Sequence, residues 1–264
     1  MIYVITHKQF DDSILPDKMY QVLHVGDSNS SKSTYLRDDV DINISEKNKN
    51  YCELTGVYWI WKNIADQGQI VGIVHYRRYF TTPFKMFLYD YLNVMPKPIS
   101  SDTIKNALKM HDAILPVKRK HLIRNNWEFY ASEHLEEDLV ILRDTIKKIQ
   151  PNYIDEYDRY MHMKSSYYAN MMICKKTLFD RYCDWLFSIM DELEKRIDIT
   201  KYADEYQKRV YGFISERLLG VWIEYNKVNV LEMPVFNTAG HDENAFQRLK
   251  SRCGLALNKI FKRT

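Results

Sequence analysis

Residues 71–80 read VGIVHYRRYF, a short apolar run that ends in a histidine and two arginines. The first half has the composition of a strand covered on both faces, which in an α/β protein carries functional residues just beyond its carboxyl end. Arg77 and Arg78 would suit a diphosphate there, because a guanidinium binds two phosphate oxygens at once and keeps its charge. The alternatives are surface ion pairs for the arginines and a core position for His75. The stretch predicts a buried strand that delivers cations to a site.

Apolar patterns on both sides of this stretch alternate between strands and helices. Strands are predicted at 2–6, 20–25, 70–74, 112–116, 167–174 and 228–231. Helices are predicted from about 48 to 67 and at 101–110, 126–149, 176–196 and 204–225, and an aromatic loop that covers a ligand at 79–91. Such alternation predicts an α/β domain with a doubly wound, mostly parallel sheet flanked by helices.

Length and composition indicate a globular protein of one main domain. The chain has 264 residues, of which 45% are hydrophobic and 28% charged. No apolar run approaches the roughly 20 residues that cross a bilayer, and no signal segment precedes the first strand, so we expect a protein that is not exported. The cysteines lack metal-ligand spacing and are expected to be free thiols in a reducing cytosol. They are Cys52, Cys174, Cys183 and Cys253.

The charge is unevenly distributed along the chain. Residues 244–264 contain six cations and no acid, so the formal charge of +3 for the whole chain leaves −3 for residues 1–243. The body has no basic excess that would indicate nucleic acid as a partner. Apolar residues at three-and-four spacing in 244–264 predict an amphipathic helix on an anionic inner-membrane surface. A tail packed on the body or disordered is the alternative, and Gly254 weakens any helix there.

Four separated blocks carry a resemblance to a known family. The HYRRYF segment occurs together with IYVITHK at 2–8, NKNYCELTGVYWIWKN at 48–63 and GFISERL at 212–218. The blocks resemble a bacterial family of capsular and exopolysaccharide biosynthesis proteins, itself similar to GT-A glycosyltransferases, across roughly residues 2–235. The resemblance implies one GT-A-like, Rossmann-type domain over 1–243. It also implies transfer of a sugar, with galactofuranose or galactose as reasonable choices, from a uridine diphosphate donor to a lipid-linked glycan.

Donor-binding residues follow from this resemblance, which places the nucleotide against the ends of the first two strands. Thr6 and His7 follow the first strand, and Gly26 and Asp27 follow the second. Glycine would permit a close approach of the backbone to the uridine. A simple turn is the alternative for Gly26 and Asp27.

The expected diphosphate clamp departs from the usual GT-A pattern. Most such enzymes end the central strand in Asp-x-Asp, which holds a divalent metal. A guanidinium pair would neutralise the departing diphosphate directly, so we expect no cofactor and metal-independent transfer. A weak ion on Asp102 or Asp112 is the alternative. The residues that stand in place of Asp-x-Asp are His75, Tyr76, Arg77 and Arg78.

Two candidates exist for the catalytic base. Glu216 in GFISERL is the first, because a carboxylate beside the acceptor can take the hydroxyl proton during attack. Its alternative is an intrahelical pair with Arg217, which is itself a candidate substrate contact. His134 with Asp138 one helical turn away is the second, and a surface pair is the alternative there. A candidate base favours inversion at the transferred carbon.

Acceptor binding is expected at 167–172, which resembles the acceptor-side strand of the family. Asn170 would face the sugar, since an amide bonds hydroxyls both as donor and as acceptor. Asn50 and Glu53 are expected near the donor, with a cap or a surface polar role as the alternative. Two other classes remain open: an inactive nucleotide-sugar-binding scaffold, favoured by the missing Asp-x-Asp, and a nucleotidyl- or phosphotransferase, which lacks a Gly-rich phosphate loop here.

Overall fold

The computed structural model describes residues 1–26, 32–65 and 69–240. The predicted tail at 244–264, with Cys253, lies outside the described residues, as do Asp27 and the predicted helix end at 67. The strands within these ranges are β1 (Ile2–Thr6), β2 (Tyr20–His24), β3 (Leu36–Arg37), β4 (Ile70–His75), β5 (Arg78–Phe80), β6 (Ala113–Pro116), β7 (Arg119–Lys120), β8 (Ser165–Ser166), β9 (Met172–Lys175), β10 (Val230–Met233) and β11 (Val235–Asn237).

The central sheet has the strand order β10-β6-β9-β4-β1-β2-β3. β1 runs parallel to β2 and β4, β2 to β3, and β10 to β6, whereas β9 runs antiparallel to both β4 and β6. The mostly parallel α/β sheet is therefore confirmed, with β9 reversed near its centre and with β5 pairing antiparallel to β4 and β11 beside the main strand order. The carboxyl ends of β1, β2, β4, β6 and β10 all lie at one edge, and the residues that precede β9 lie at that same edge.

Helices cover both faces of this sheet, because alternate strand residues point to opposite sides. In β1, Tyr3 and Ile5 join one apolar core, and Ile2 and Val4 join the other. The helices are α1 (Asn48–Tyr51), α2 (Leu54–Asn63), α3 (Pro83–Leu92), α4 (Ser101–Ala107), α5 (Asn126–Ala131), α6 (Glu136–Ile149), α7 (Ile154–Met161), α8 (Lys176–Leu193) and α9 (Val210–Tyr225).

The two cores divide the helices between them. Met86 and Tyr89 of α3 pack with Ile104 of α4 on the side of Ile2 and Val4. The remaining helices contribute side chains to the core that contains Tyr3 and Ile5. The strand residues of β4 are buried between these layers, as the apolar run at 71–74 predicts.

Four predicted elements differ from the structure. The strand predicted at 167–174 forms only as β9 from Met172, because Ala169 and Asn170 adopt positive φ values that interrupt an extended chain. The helix predicted near 48–67 is broken between α1 and α2, where Cys52 adopts φ +53°. The helix predicted at 126–149 is divided into α5 and α6 by residues 132–135. The aromatic segment predicted as a loop forms β5 and then α3, with Thr82 as the N-cap and Pro83 in the first turn.

α9 is held against α7 by a close contact at Gly220. A Cβ atom at this position would lie 2.0 Å from the Tyr160 ring and hydroxyl. The Tyr160 side chain is fully buried, and its hydroxyl accepts a hydrogen bond from the Tyr167 N–H at 3.2 Å. Only glycine leaves room for this tyrosine, which joins α7 to the chain segment leading into β9.

Candidate functional site

Five chain segments converge at the carboxyl edge of the sheet. They are the end of β1, the end of β4, the junction between α1 and α2, residues 168–170 before β9, and the first turns of α9. Each brings a polar or charged side chain of the kind that the sequence predicts for the site. Hydrogen bonds and electrostatic contacts join these segments.

Asn170 is the centre of one hydrogen-bond network. Its Nδ2 donates to Glu53 Oε1 at 2.7 Å, to Ser215 Oγ at 2.8 Å and, more weakly, to the Gly212 carbonyl at 3.3 Å. Glu53 follows the break between α1 and α2, and Ser215 lies on α9. The amide therefore ties the sheet edge to both helices and holds Asn170, expected on the acceptor side, beside Glu53, expected near the donor.

Glu216 meets the same chain segment one residue earlier. Its Oε1 accepts the Ala169 N–H at 3.0 Å, and its Oε2 accepts from Arg217 Nη1 at 3.0 Å. Ala169 and Asn170 have φ values of +69° and +44°, a left-handed conformation that costs energy for alanine. This turn points the Ala169 N–H at Glu216, so the strained backbone positions two carboxylates, those of Glu53 and Glu216, around residues 169–170.

His75, the last residue of β4, joins this group through its ring. Its Nε2 forms a short hydrogen bond with the carbonyl of Ala169. Burial lowers the pKa of His75, and the nearby charge of Arg78 acts in the same direction, although Glu53 and Glu216 oppose it. The imidazole is therefore predominantly neutral at neutral pH, and with the Ala169 carbonyl as acceptor its Nε2 carries the proton.

Two cations, Arg77 and Lys8, lie close to the Tyr76 ring. Arg77 donates to the Tyr76 hydroxyl, and its guanidinium carbon lies 4.6 Å from the ring centroid. Lys8 Nζ lies 5.7 Å from the same centroid, and the His7 ring packs edge-on at 5.3 Å. Burial lowers the pKa of His7, and the charges of Lys8, Arg77 and Arg209 lower it further. We call Lys8, Arg77 and Arg209 the cation group.

Arg209 and Lys8 are members of this group that the sequence analysis missed. Arg209 precedes α9, and its Nε donates to Cys52 Sγ at 2.9 Å. Cys52 has the positive φ that separates α1 from α2, so the arginine is anchored at the same break that presents Glu53. Lys8 directly follows His7 after the strand predicted at 2–6, so its place in the site could have been predicted from the sequence. The approach of Arg209 depends on long-range folding.

Gly26 and its surroundings form the other predicted donor contact. Its φ is +78°, its N–H donates to Asp38 Oδ1 at 3.1 Å, and a Cβ there would lie 2.5 Å from Asn48 Oδ1. The positive φ and the contact with Asn48 therefore both favour glycine at this position, and the approach of a uridine to it stays a prediction. Asp38 is 1% exposed, its Oδ2 has no hydrogen-bond partner among the described residues, and burial raises its pKa to about 6. Thr6, at the end of β1, donates through its hydroxyl to the Lys8 carbonyl.

Two further predicted donor residues have structural contacts. Asn50 Nδ2 donates to the Lys208 carbonyl at 2.8 Å, which fixes α1 to the turn that carries Arg209. Arg78 opens β5 and pairs with Asn237 of β11. Arg78 also pairs antiparallel with His75 of β4, so the turn between β4 and β5 directs Arg77 towards Tyr76 and brings the charge of Arg78 to His75.

The predicted pair of His134 and Asp138 requires a correction. α6 begins at Glu136, so His134 lies before the helix, and its Nδ1 bonds Gln207 Oε1 at 2.8 Å. The two oxygens of Asp138 instead accept from Tyr130 at 2.8 Å and Tyr202 at 2.6 Å. Asp138 is 3% exposed, which makes it a buried structural carboxylate rather than an orienting partner of His134.

The candidate metal ligands of the sequence analysis lie apart in the chain and in secondary structure. Asp102 lies in the first turn of α4, and Asp112 accepts the Asn229 N–H at 3.0 Å just before β6. Over residues 1–26, 32–65 and 69–240, no three His, Cys, Asp or Glu side chains are grouped as a metal site would need. Cys52, Cys174 and Cys183 are free thiols, as expected.

Comparison with protein families identifies the chain. Residues 1–227 match the family described as "Domain of unknown function (DUF4422)". The chain belongs to this DUF4422 family. The match includes every segment that forms the site, from His7 at the end of β1 to Arg217 on α9, so the site described above lies within the DUF4422 domain.

A solved structure supports the fold independently. The apo structure of the WbbM bifunctional glycosyltransferase has 32% sequence identity to this DUF4422 chain and superposes with a TM-score of 0.76. The match covers 90% of this chain and 45% of the WbbM chain, so the present chain spans less than half of that protein. No significant match was found among curated proteins. In the part of the chain that the structure describes, helices are too short or too polar to cross a bilayer.

Proposed function

We propose that the protein is a glycosyltransferase that moves a sugar from a uridine diphosphate donor to a glycan. One observation carries the proposal: two carboxylates, Glu53 and Glu216, meet at residues 169–170, and Arg209 of the cation group interacts electrostatically with Glu53. Sugar transfer needs this combination, because one charge type must stabilise a leaving diphosphate while the other accepts a proton. The likeness to a bifunctional glycosyltransferase supports the same reaction class.

The donor lies with its uridine against the ends of β1 and β2 in this proposal. Gly26 allows the backbone to approach, and His7, neutral because of its lowered pKa, lines the path without adding charge. The diphosphate lies against Arg77, Lys8 and Arg209. Arginine binds phosphate oxygens in pairs, so these side chains supply the positive charge that Asp-x-Asp and a metal supply elsewhere. Transfer is therefore metal-independent in this proposal.

Glu216 is the proposed base. The hydroxyl of the acceptor gives its proton to this carboxylate while its oxygen forms a bond to the transferred carbon, and the bond from that carbon to the diphosphate breaks. Uridine diphosphate leaves with the bonding electrons against the cation group. A single displacement of this kind inverts the configuration at the carbon. Arg217 and the Ala169 N–H hold Glu216 in place.

The acceptor in this proposal is a lipid-linked oligosaccharide of capsular or exopolysaccharide synthesis, with galactofuranose or galactose as the transferred sugar. Asn170 lines the acceptor side through the network with Glu53 and Ser215. The basic tail at 244–264 would hold the enzyme at the anionic inner face of the membrane.

Transfer assays with a panel of uridine diphosphate sugars test the proposal. Wild-type protein should release uridine diphosphate with one donor, in the presence or absence of a chelator. Arg77→Ala should weaken donor binding or turnover by about 1 to 3 kcal/mol, because it removes a charge-assisted phosphate contact. The matched control is Arg181→Ala on α8, which begins at the opposite edge of the sheet. Binding of the donor without any turnover would instead favour an inactive nucleotide-sugar-binding scaffold.

A further inference from the structure

An exposed apolar tip projects from the site edge of the sheet. β6 runs parallel to β4, because both are antiparallel to β9, so the chain leaves β6 at the edge where the site lies. It continues into β7, which pairs with β8 as a two-stranded ribbon. Leu122 and Ile123, at the tip beyond the ribbon, are 66% and 62% exposed. Two adjacent aliphatic side chains this exposed form a small apolar surface that a partner could cover.

Cations surround this tip. Lys120 and Lys164 are exposed on the two chains of the ribbon, and Arg124 follows Ile123 directly. The ion pairs among the described residues include none of these three cations. The neighbouring acid Glu128 is engaged locally, since its Oε2 accepts the Asn125 N–H at 2.9 Å in the capping box of α5. The tip therefore combines two aliphatic side chains with a ring of unpaired positive charge.

The ribbon also leads directly into the acceptor side of the site. Two residues after β8, the Tyr168 ring lies 4.1 Å from the guanidinium carbon of Arg119, which is on β7. Tyr168 is followed by Ala169, whose N–H donates to Glu216. His121 N–H donates to the Lys164 carbonyl at 2.7 Å and closes the ribbon below the tip. The tip is thus connected to residues 169–170 by a short and well-bonded segment.

We propose that residues 120–124, the docking tip, insert into an anionic lipid bilayer beside the acceptor. Leu122 and Ile123 would enter the boundary between headgroups and acyl chains, while Lys120, Arg124 and Lys164 would contact anionic headgroups. Charge complementarity selects a bilayer over an apolar protein surface, because a ring of unpaired cations would be costly to bury against the latter. The role of the tip in presenting a lipid-linked acceptor rests on the proposed function, whereas membrane binding itself does not.

Co-sedimentation of the full-length chain with vesicles tests the proposal. The probes are vesicles of phosphatidylcholine alone and of phosphatidylcholine mixed with phosphatidylglycerol. One variant combines Leu122→Ser and Ile123→Ser, and a second combines Lys120→Glu and Arg124→Glu. Each should weaken binding to the anionic vesicles by about tenfold or more, and the wild type should bind the neutral vesicles far more weakly.

The matched control combines Phe84→Ser and Phe87→Ser on α3, which removes comparably exposed apolar surface from a helix that packs on the opposite face of the sheet from α5, the helix that follows the tip. It should bind as the wild type does. The proposal is overturned if wild-type protein ignores anionic vesicles, or if both tip variants bind like the wild type. Equal urea midpoints for all variants confirm intact folds. Transfer to a short soluble acceptor is measured in parallel, so that a failed transferase assignment with intact vesicle binding is recognised separately.

Discussion

Replacing Asp38 by asparagine should stabilise the protein at neutral pH. Asp38 is buried, and its Oδ2 has no hydrogen-bond partner among the described residues, whereas its Oδ1 accepts the Gly26 N–H and the Thr55 hydroxyl also favours the charged form. Burial raises its pKa from 3.8 to about 6. Asparagine keeps an oxygen that accepts from Gly26 and removes the buried charge. The interval between the two pKa values corresponds to about 3 kcal/mol of unfolding free energy.

The pH dependence distinguishes this mechanism from a general improvement in packing. Because the folded-state pKa is raised, the folded protein binds more protons than the unfolded chain between about pH 4 and pH 6. The contribution of Asp38 to the unfolding free energy therefore falls as pH rises through this interval. The advantage of the variant should be nearly full at pH 7.5 and should shrink towards zero at pH 4.

Urea unfolding followed by tryptophan fluorescence at pH 4, 5, 6 and 7.5 measures this difference. Asp39→Asn is the matched control, because the neighbouring carboxylate is half-buried and paired with Arg37, which lowers its pKa. That variant should gain nothing at neutral pH and lose up to about 1 kcal/mol. An Asp38→Asn protein no more stable than the wild type at pH 7.5, or equally stabilised at every pH, would refute the reasoning.

Three further predictions concern the site and its support. Glu216→Gln should lower transfer roughly 100-fold or more with donor affinity kept, measured by steady-state kinetics and calorimetry; unchanged turnover would exclude it as the base. Arg78→Ala should weaken donor binding or turnover by about 1 to 3 kcal/mol; wild-type kinetics in both this variant and Arg77→Ala would remove the predicted clamp. Gly220→Ala should destabilise by about 2 kcal/mol or more in urea, despite the better helix propensity of alanine, because Tyr160 must move; wild-type stability would contradict that contact.

The sheet was predictable because its strands are β-branched runs of the right length. The apolar residues at 2–6 and 70–74 leave little choice between strand and helix, and the structure confirms both within one residue. The segment at 79–91 was interpreted as a loop although Thr82 and Pro83 form a usual helix start. The capping signal at Thr82 and Pro83, rather than the aromatic composition, therefore indicates the structure of this segment.

The site was less accessible to sequence reasoning, because its geometry depends on two unusual backbone positions. Cys52 and Ala169 both have positive φ, yet neither residue type favours that conformation, so no local signal marks the break before Glu53 or the turn before Asn170. The contact between Glu216 and Ala169 joins residues far apart in the chain. The spacing of His134 and Asp138 predicts a contact only if one continuous helix contains both residues. The structure divides that helix, so the predicted contact does not form.

The reversed direction of β9 has a consequence for how the site tolerates change. The chain leaves the sheet after β1 and, through the turn into β5, after β4, whereas residues 169–170 enter it, with only Met171 between them and β9. β9 therefore fixes the position of residues 169–170, the side of the site that carries Asn170. We expect related chains that use different donors to differ in the segments that follow the parallel strands. The segment at 169–170 should keep its length and its left-handed turn.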